Sequence, residues 1–273
     1  MQQPNVRQPS VAGQFYPATG QAIKKQLESF IDKKAAKRDV ITCMLPHAGY
    51  MYSGKVAAHT VSQITVKDTV ILLGPNHTGC GEPFSIMTEG IWQTPLGEIT
   101  IDAALAKKIL KGSRHLKSDS LAHQGEHSLE VELPILQYFK PDFEIVPIAF
   151  LTDDFEALKE TGKEIASVIT QAGIKGKVLI IASSDMTHYE PQAAAEKKDR
   201  AAIEAILRLD EDALVESISR LNISMCGYAP VIAMLAASKA LGATKGELSK
   251  YQTSGDVTGD KTSVVGYAGV IIY

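Results

Sequence analysis

Apolar runs typical of buried strands alternate along the chain with amphipathic segments typical of helices. The pattern predicts strands at 40–45, 69–73, 84–88, 97–101, 143–150, 177–182, 246–253 and 263–273. It predicts helices at 20–36, 53–64, 102–111, 126–139, 153–171, 191–208, 210–219 and 228–242. Because the elements alternate without a linker or repeat, we predict a single α/β domain over residues 1–273. Its expected architecture is a three-layer α/β/α sandwich with a mostly parallel or mixed central sheet.

Capping and proline residues refine these elements. Ser53 is a candidate N-cap of the second helix. Pro134 is expected to shorten or kink the helix at 126–139. Pro147 lies within a predicted strand, which favours an edge position or a bulge.

Turn residues indicate how some strands are connected. The turn at 94–97 is expected between the strands at 84–88 and 97–101. The last two strands could pair antiparallel, joined by the Gly-rich segment 254–260. That segment could line a pocket, but a simple tight connection is the favoured interpretation.

Composition narrows the class of protein mainly by exclusion. The 28 basic and 31 acidic residues give a net charge of −3, which indicates neither nucleic-acid nor membrane binding. No apolar run approaches the roughly 20 residues that cross a bilayer, and residues 1–5 lack the features of a signal peptide. Three cysteines without paired spacing indicate reduced thiols. We therefore expect a soluble cytoplasmic protein.

Two histidines directly follow strongly apolar strands. His47 comes after the strand at 40–45, and His77 comes after the strand at 69–73. Strands this hydrophobic suit a sheet covered on both faces, and such sheets bind ligands beyond the carboxyl ends of their strands. Two imidazoles at one sheet edge predict the beginning of a metal site. Loop histidines bonded to the backbone are the alternative.

A third strand end carries Asp185 and His188. An Asp and a His three residues apart can act as orienting group and acid–base catalyst, or can support a metal-bound imidazole. The alternative is a capping Asp followed by a surface His.

Cys226 lies at the start of a predicted apolar helix. A helix N-terminus lowers the pKa of a thiol and favours the thiolate, which is the form that binds metals. A buried, inert cysteine is the alternative.

His123, Glu126 and His127 match the H-x-x-E-H spacing of a zinc-protease helix. Gly125 lies between these residues and weakens the match, because glycine destabilises a helix by about 1 kcal/mol relative to alanine. A loop-to-helix boundary that places His127 in a cleft is the favoured interpretation.

Short motifs in a fixed order carry a resemblance to a known family. They are Pro46-His47-Ala48-Gly49-Tyr50, Ala57-Ala58-His59, Gly74-Pro75-Asn76-His77, Thr94-Pro95-Leu96-Gly97, Glu126-His127-Ser128-Leu129-Glu130, Ser183-Ser184-Asp185 and Met225-Cys226-Gly227. In this order they resemble the Memo family, whose proteins are similar in fold to the class III extradiol dioxygenases. The match runs from about Arg7 to Tyr273.

The resemblance implies a dioxygenase-like fold around a pocket in which His47, His77 and Cys226 are the metal ligands. The dioxygenases hold iron(II) with two His and a carboxylate. A Cys in place of the carboxylate gives a softer set of metal ligands. Iron(II) is the favoured metal for this set, and copper or zinc are alternatives. Thr78 stands where some members carry a further His, so a role that needs that imidazole is not expected here.

The same resemblance implies that His127, His188 and Asp185 are the other pocket residues, and we assign catalytic proton handling to them. The favoured function is a metal-dependent redox enzyme or a degenerate relative of one. The alternatives are a non-catalytic adaptor that binds a peptide or small ligand, as discussed for animal relatives, and a zinc hydrolase using His123, Glu126 and His127. Genes of this family are often named with a radical-SAM protein, which implies those system proteins as partners.

Overall fold

The computed structural model of the chain describes residues 5–273, and residues 1–4 of the N-terminus analysed above lie outside the described residues. A mixed sheet of nine strands lies between two groups of helices. The strands of residues 5–273 are β1 (Val6–Arg7), β2 (Thr42–Leu45), β3 (Thr69–Pro75), β4 (Phe84–Ile86), β5 (Ile91–Thr94), β6 (Gly97–Thr100), β7 (Lys117–Ser118), β8 (Glu144–Phe150), β9 (Val178–Ser183), β10 (His188–Glu190), β11 (Gly246–Thr253) and β12 (Val264–Ile272).

Helices follow most of the inner strands along the chain. They are α1 (Gly20–Glu28), α2 (Gly54–Ser62), α3 (Ala103–Gly112), α4 (Leu133–Phe139), α5 (Phe155–Gln171), α6 (Gln192–Leu207), α7 (Glu211–Leu221), α8 (Tyr228–Ala240) and α9 (Gly255–Thr258). One group, α1, α2 and α4, packs together, and α2 covers β2, β11 and β12. In the other group α5 packs along α8, which contacts β3 and β9. The predicted three-layer sandwich is confirmed.

The strand order explains where the candidate residues come together. The large sheet runs β10, β12, β2, β9, β3, β8, β4 and β7, and β11 also pairs with β12. The inner strands β2, β9, β3 and β8 are parallel, and β2 and β9 are buried throughout. Their continuous apolar sequences suit this position because neither face meets water. The loops after β2, β3 and β9 therefore leave the sheet at the same edge.

The antiparallel pairing expected for the last two strands is confirmed, because β11 and β12 pair from Gly246 with Ile272 to Thr253 with Gly266. One of the two strands predicted to flank the turn at 94–97 is wrong. The 94–97 turn joins β6 to β5, not to the strand that begins at Phe84. That strand, β4, instead pairs with β8 in the large sheet. The β5–β6 hairpin belongs to a small separate sheet with β1.

The edge or bulge expected at Pro147 is also wrong. β8 lies between β3 and β4, and its pairing with β3 is continuous from Glu144 to Phe150. β4 ends at Ile86, opposite Ile148, and the Met87 amide donates to the Pro147 carbonyl. A residue's N–H and C=O point to the same side of a strand. The missing N–H of Pro147 therefore faces Met87, directly after the end of β4, and the pairing of β4 with β8 stops where proline cannot return the bond.

Several predicted helices are shorter in the structure. The first ends at Glu28, and the helix predicted at 126–139 begins only at Leu133, after a 3₁₀ turn at Glu130–Glu132. Pro134 lies in the first turn of α4, where a missing amide proton costs no helical bond. Ser53 precedes α2, but its hydroxyl donates to the Ala48 carbonyl and does not cap the helix. Within residues 5–273 each helix is too short or too polar to cross a membrane.

A buried ion pair holds the N-terminal segment against the rest of the domain. Arg7 Nη1 lies 2.8 Å from Glu130 Oε2, and both side chains are almost wholly buried. Arg7 also donates to the carbonyls of His123 and Glu126, and its guanidinium lies 4.1 Å from the centre of the Trp92 ring. The Arg7 side chain therefore fixes the backbone on both sides of the loop that carries Glu126.

Replacing Arg7 with Met should lower the free energy of unfolding by about 3–5 kcal/mol, because Glu130 would keep a buried charge without its cation. Arg114→Met is the control, since Arg114 pairs with Glu164 at the surface and should change stability little. Denaturant unfolding of both variants measures the difference. Equal midpoints for the two variants would show that the Arg7 pair does not hold the segment in place.

Candidate metal centre

Two loops and one helix start bring His47, His77 and Cys226 together. One nitrogen of each imidazole and the Cys226 sulfur all lie within 4.8 Å of one another. His47 Nε2 is 3.3 Å from the Cys226 Sγ. His47 and Cys226 are separated by 179 positions in the chain, so only the fold can produce this contact. Two imidazoles and a thiol are ligands that transition metals and zinc accept.

His47 is the buried member of the group. Its ring Nδ1 lies 2.8 Å from the Ser183 hydroxyl, and its backbone amide donates to Asp185 Oδ1 at 2.9 Å. Burial, together with the neighbouring His77 and His127, lowers the pKa of His47 well below its usual value. The ring is therefore neutral near pH 7, as a metal-ligating imidazole must be.

His77 is the more accessible member and is held by Glu126. Its Nδ1 lies 2.9 Å from Glu126 Oε1, and its backbone amide donates to the other oxygen of the same carboxylate. Burial alone raises the pKa of Glu126, but the bonds from His77 and from the Ser128 amide outweigh it, and the pKa falls to about 2. Glu126 is therefore a charged carboxylate that orients the His77 ring.

Cys226 precedes α8, and the residue after it must be small. A Cβ on Gly227 would lie 2.2 Å from the Ser183 carbonyl oxygen, so only glycine permits this approach of the helix start to β9. The Asp185 amide lies 3.4 Å from the Cys226 sulfur. Burial and the nearby Asp185 carboxylate raise the pKa of this thiol. The lowered pKa expected from the helix start is therefore wrong for the protein without metal.

The other predicted pocket residues line the same cavity, which has a volume of about 710 Å³. The His127 ring stacks on His77 with centroids 4.8 Å apart and contacts Phe15 at 4.9 Å. His188 Nδ1 lies 2.9 Å from the Ser224 carbonyl oxygen. Burial raises the pKa of Asp185 to about 6, although the His47 amide opposes the shift. The cavity therefore combines three candidate ligands with titratable groups that could exchange protons.

A family model for Memo-like proteins matches residues 7–271 of the chain. The chain belongs to the Memo family. A MEMO1 family protein of Methanosarcina barkeri is 48% identical, with 98% of this chain and 100% of the relative covered. A MEMO1 family protein of Aquifex aeolicus is 42% identical, with 97% and 98% covered. An uncharacterized protein of Escherichia coli K12 is similar in structure, with a TM-score of 0.57 and 11% identity over 85% of this chain and 99% of that one. At this identity the similarity concerns the fold alone.

The zinc-protease arrangement is not formed in this Memo protein. The segment from His123 to His127 is not a helix, and Gly125 has a φ of +79°. The His123 Nε2 contacts the Ser85 hydroxyl at 3.1 Å, and its ring packs against Trp92. Burial lowers the pKa of His123 to about 4. Within residues 5–273 the groups of converging ligand atoms contain Glu126 and His127 with His77, but not His123.

Several residues that form the cavity have no recognisable signal in the sequence. Phe15 reaches the cavity from the N-terminal segment. Tyr52 reaches it from the loop before α2, and Tyr267 reaches it from β12. The 254–260 segment lines the cavity through Ser254, consistent with the weaker of its two interpretations. The sequence assigns Glu126 no role in orienting His77, although it lies in both the zinc-like spacing and a Memo-like motif. No local pattern reveals that pairing, because it joins residues 49 positions apart.

Gly227→Ala should destabilise the Memo fold by about 1–3 kcal/mol, because the added methyl group overpacks a contact with β9. Gly176→Ala is the matched control, since no atom lies within 4 Å of the corresponding Cβ. Denaturant unfolding compares the two variants. If both retain wild-type stability, the close approach of Gly227 to β9 is looser than the distances indicate.

Proposed function

We propose that this Memo-family protein is a metal-dependent redox enzyme whose metal is held by His47, His77 and Cys226. The observation that supports the proposal is the convergence of their three ligand atoms within 4.8 Å at the wall of one cavity. These atoms come from elements far apart in the chain, so their meeting is a property of the fold. Three protein ligands leave coordination positions for a small molecule.

The donor set favours a metal that accepts both imidazole and thiolate. Iron(II) is our first choice, and copper and zinc are the alternatives. When bound, a redox-active ion would supply electron transfer and activation of a small oxidant or substrate. The thiolate donor would also make the centre sensitive to oxidation.

The protein side chains would position the substrate and exchange protons. Asp185, with a pKa of about 6, can hold or release a proton near neutral pH. Burial lowers the pKa of His127 despite the neighbouring Glu126, so its ring is neutral and can accept a proton. His188 lines the same cavity and is fixed by Ser224. We assign proton handling to these three residues.

Protein purified without oxygen should contain stoichiometric iron or copper, and His47→Ala should abolish its retention because a buried ligand is lost. His59→Ala is the control, since His59 lies on α2 outside the converging group. Elemental analysis of the three proteins tests this. Equal metal content in wild-type and His47→Ala protein would contradict the proposed ligand set.

The same measurement separates a redox centre from the zinc-hydrolase alternative. Zinc lost in His123→Ala but kept in His47→Ala would favour hydrolysis over the redox proposal. We expect the opposite result, because His123 contacts Ser85 and Trp92.

A non-catalytic binding protein is the second candidate, and the size of the cavity supports it. About 710 Å³ is large for a metal and an oxidant alone and falls in the range of small-molecule sites. In that case pocket substitutions such as His127→Asn would weaken ligand binding, while no substrate would produce oxygen consumption. Oxygen uptake that disappears in His127→Asn, with metal content unchanged, would exclude a purely binding role.

A further inference from the structure

Ser128 lies between the groups that hold the two imidazoles. Its backbone amide donates to Glu126 Oε1 at 2.8 Å, and Glu126 Oε1 lies 2.9 Å from His77 Nδ1. Its backbone carbonyl accepts from the Ser183 hydroxyl at 2.8 Å, and that hydroxyl lies 2.8 Å from His47 Nδ1. The backbone of a single residue, Ser128, therefore connects both rings through hydrogen bonds made by its amide and its carbonyl.

The proton count at Ser183 decides which His47 nitrogen carries hydrogen. A hydroxyl has one proton to donate. Ser183 gives this proton to the Ser128 carbonyl, which can only accept. The remaining short contact, to His47 Nδ1, then requires the ring to be the donor. His47 is accordingly protonated at Nδ1, and its bare Nε2 faces Cys226 at 3.3 Å.

The same argument applies to His77. Glu126 Oε2 accepts the backbone amide of His77 and Oε1 accepts the backbone amide of Ser128, so both oxygens act as acceptors, as in an ionised carboxylate. The contact with His77 Nδ1 therefore places the proton on that nitrogen. The Nε2 of His77 is left free to bind a metal.

We propose that the hydrogen-bonded chain of Glu126, the Ser128 backbone and Ser183 fixes both imidazoles in the Nδ1–H tautomer before any metal is bound. Glu126 and Ser183 are then positioning residues of the metal centre. The tautomer assignment concerns the metal-free protein, whereas its effect on affinity rests on the proposed metal-binding function.

The Ser128 backbone is well placed to act as a rigid connector. Ser128 is fully buried, and its hydroxyl donates to the Pro75 carbonyl at 3.0 Å at the end of β3. A Cβ on Gly74 would come within 2.8 Å of the Ser128 Oγ, so the connector packs directly against the strand. Ligands held in this way bind a metal without first being reoriented.

The tautomers can be measured directly in metal-free protein. Ring ¹⁵N chemical shifts of labelled histidines, recorded at about pH 8 where free imidazole is neutral, distinguish Nδ1–H from Nε2–H. Assignment uses His47→Ala and His77→Ala. We expect both rings as Nδ1–H in the wild type, and a shift of His47 alone toward Nε2–H in Ser183→Ala.

Ser238→Ala is the matched control, because it removes one fully buried hydroxyl that donates to the Met234 carbonyl within α8 and takes no part in the chain. It should leave both tautomers unchanged. Titration with Zn²⁺ against a chelator should then show about 10–100-fold weaker binding for Ser183→Ala, with Ser238→Ala close to the wild type.

A wild-type His47 protonated at Nε2 overturns the proposal whatever the variants do. A Ser183→Ala protein with unchanged tautomers and unchanged Zn²⁺ affinity also overturns it. If the wild type shows the expected tautomers but binds no metal, the proposed function fails while the tautomer assignment stands.

Discussion

The carboxylate of Glu130 is fully buried, and the groups that compensate its charge shape the surroundings of the cavity. It accepts hydrogen bonds from Arg7, the amides of Ser10 and Val11, and the Tyr16 hydroxyl. These bonds tie residues 7–16 to the segment that carries Glu126. Phe15 is thereby held against His127, and its carbonyl accepts from the Tyr50 amide in the loop after His47. The histidine loops are thus fixed by an ion pair that contains none of the candidate ligands.

Much of the fold could be predicted because its inner strands have a local signature. β2, β3, β8 and β9 are continuous apolar runs, which is what a parallel sheet covered on both faces requires. The predictions failed where pairing is decided at long range. Nothing local to Phe84–Ile86 indicates that β4 joins β8, and Pro147 fits within the sheet only because β4 stops opposite Ile148.

The candidate site was predictable to the extent that topology brings strand ends together. His47, His77 and Asp185 follow adjacent parallel strands, so their arrival at one sheet edge follows from the sequence pattern. The helix start makes Cys226 a candidate but leaves an inert buried cysteine as the alternative, and the resemblance to the Memo family is what assigns it as a ligand. Glu126 and Ser183 gave no signal as ring partners, since each contacts its histidine across a large separation in sequence. Burial of the thiol likewise depends on packing that a local pattern does not contain.

The two imidazoles differ in their access to solvent, since the His77 side chain is 33% exposed whereas His47 is 2% exposed. An incoming ion would meet His77 first, and loss of the ion would begin with release of that same ring. In the proposed metal centre, exchange of the ion would therefore be governed by the outer imidazole. A small chelator would compete from the outer side.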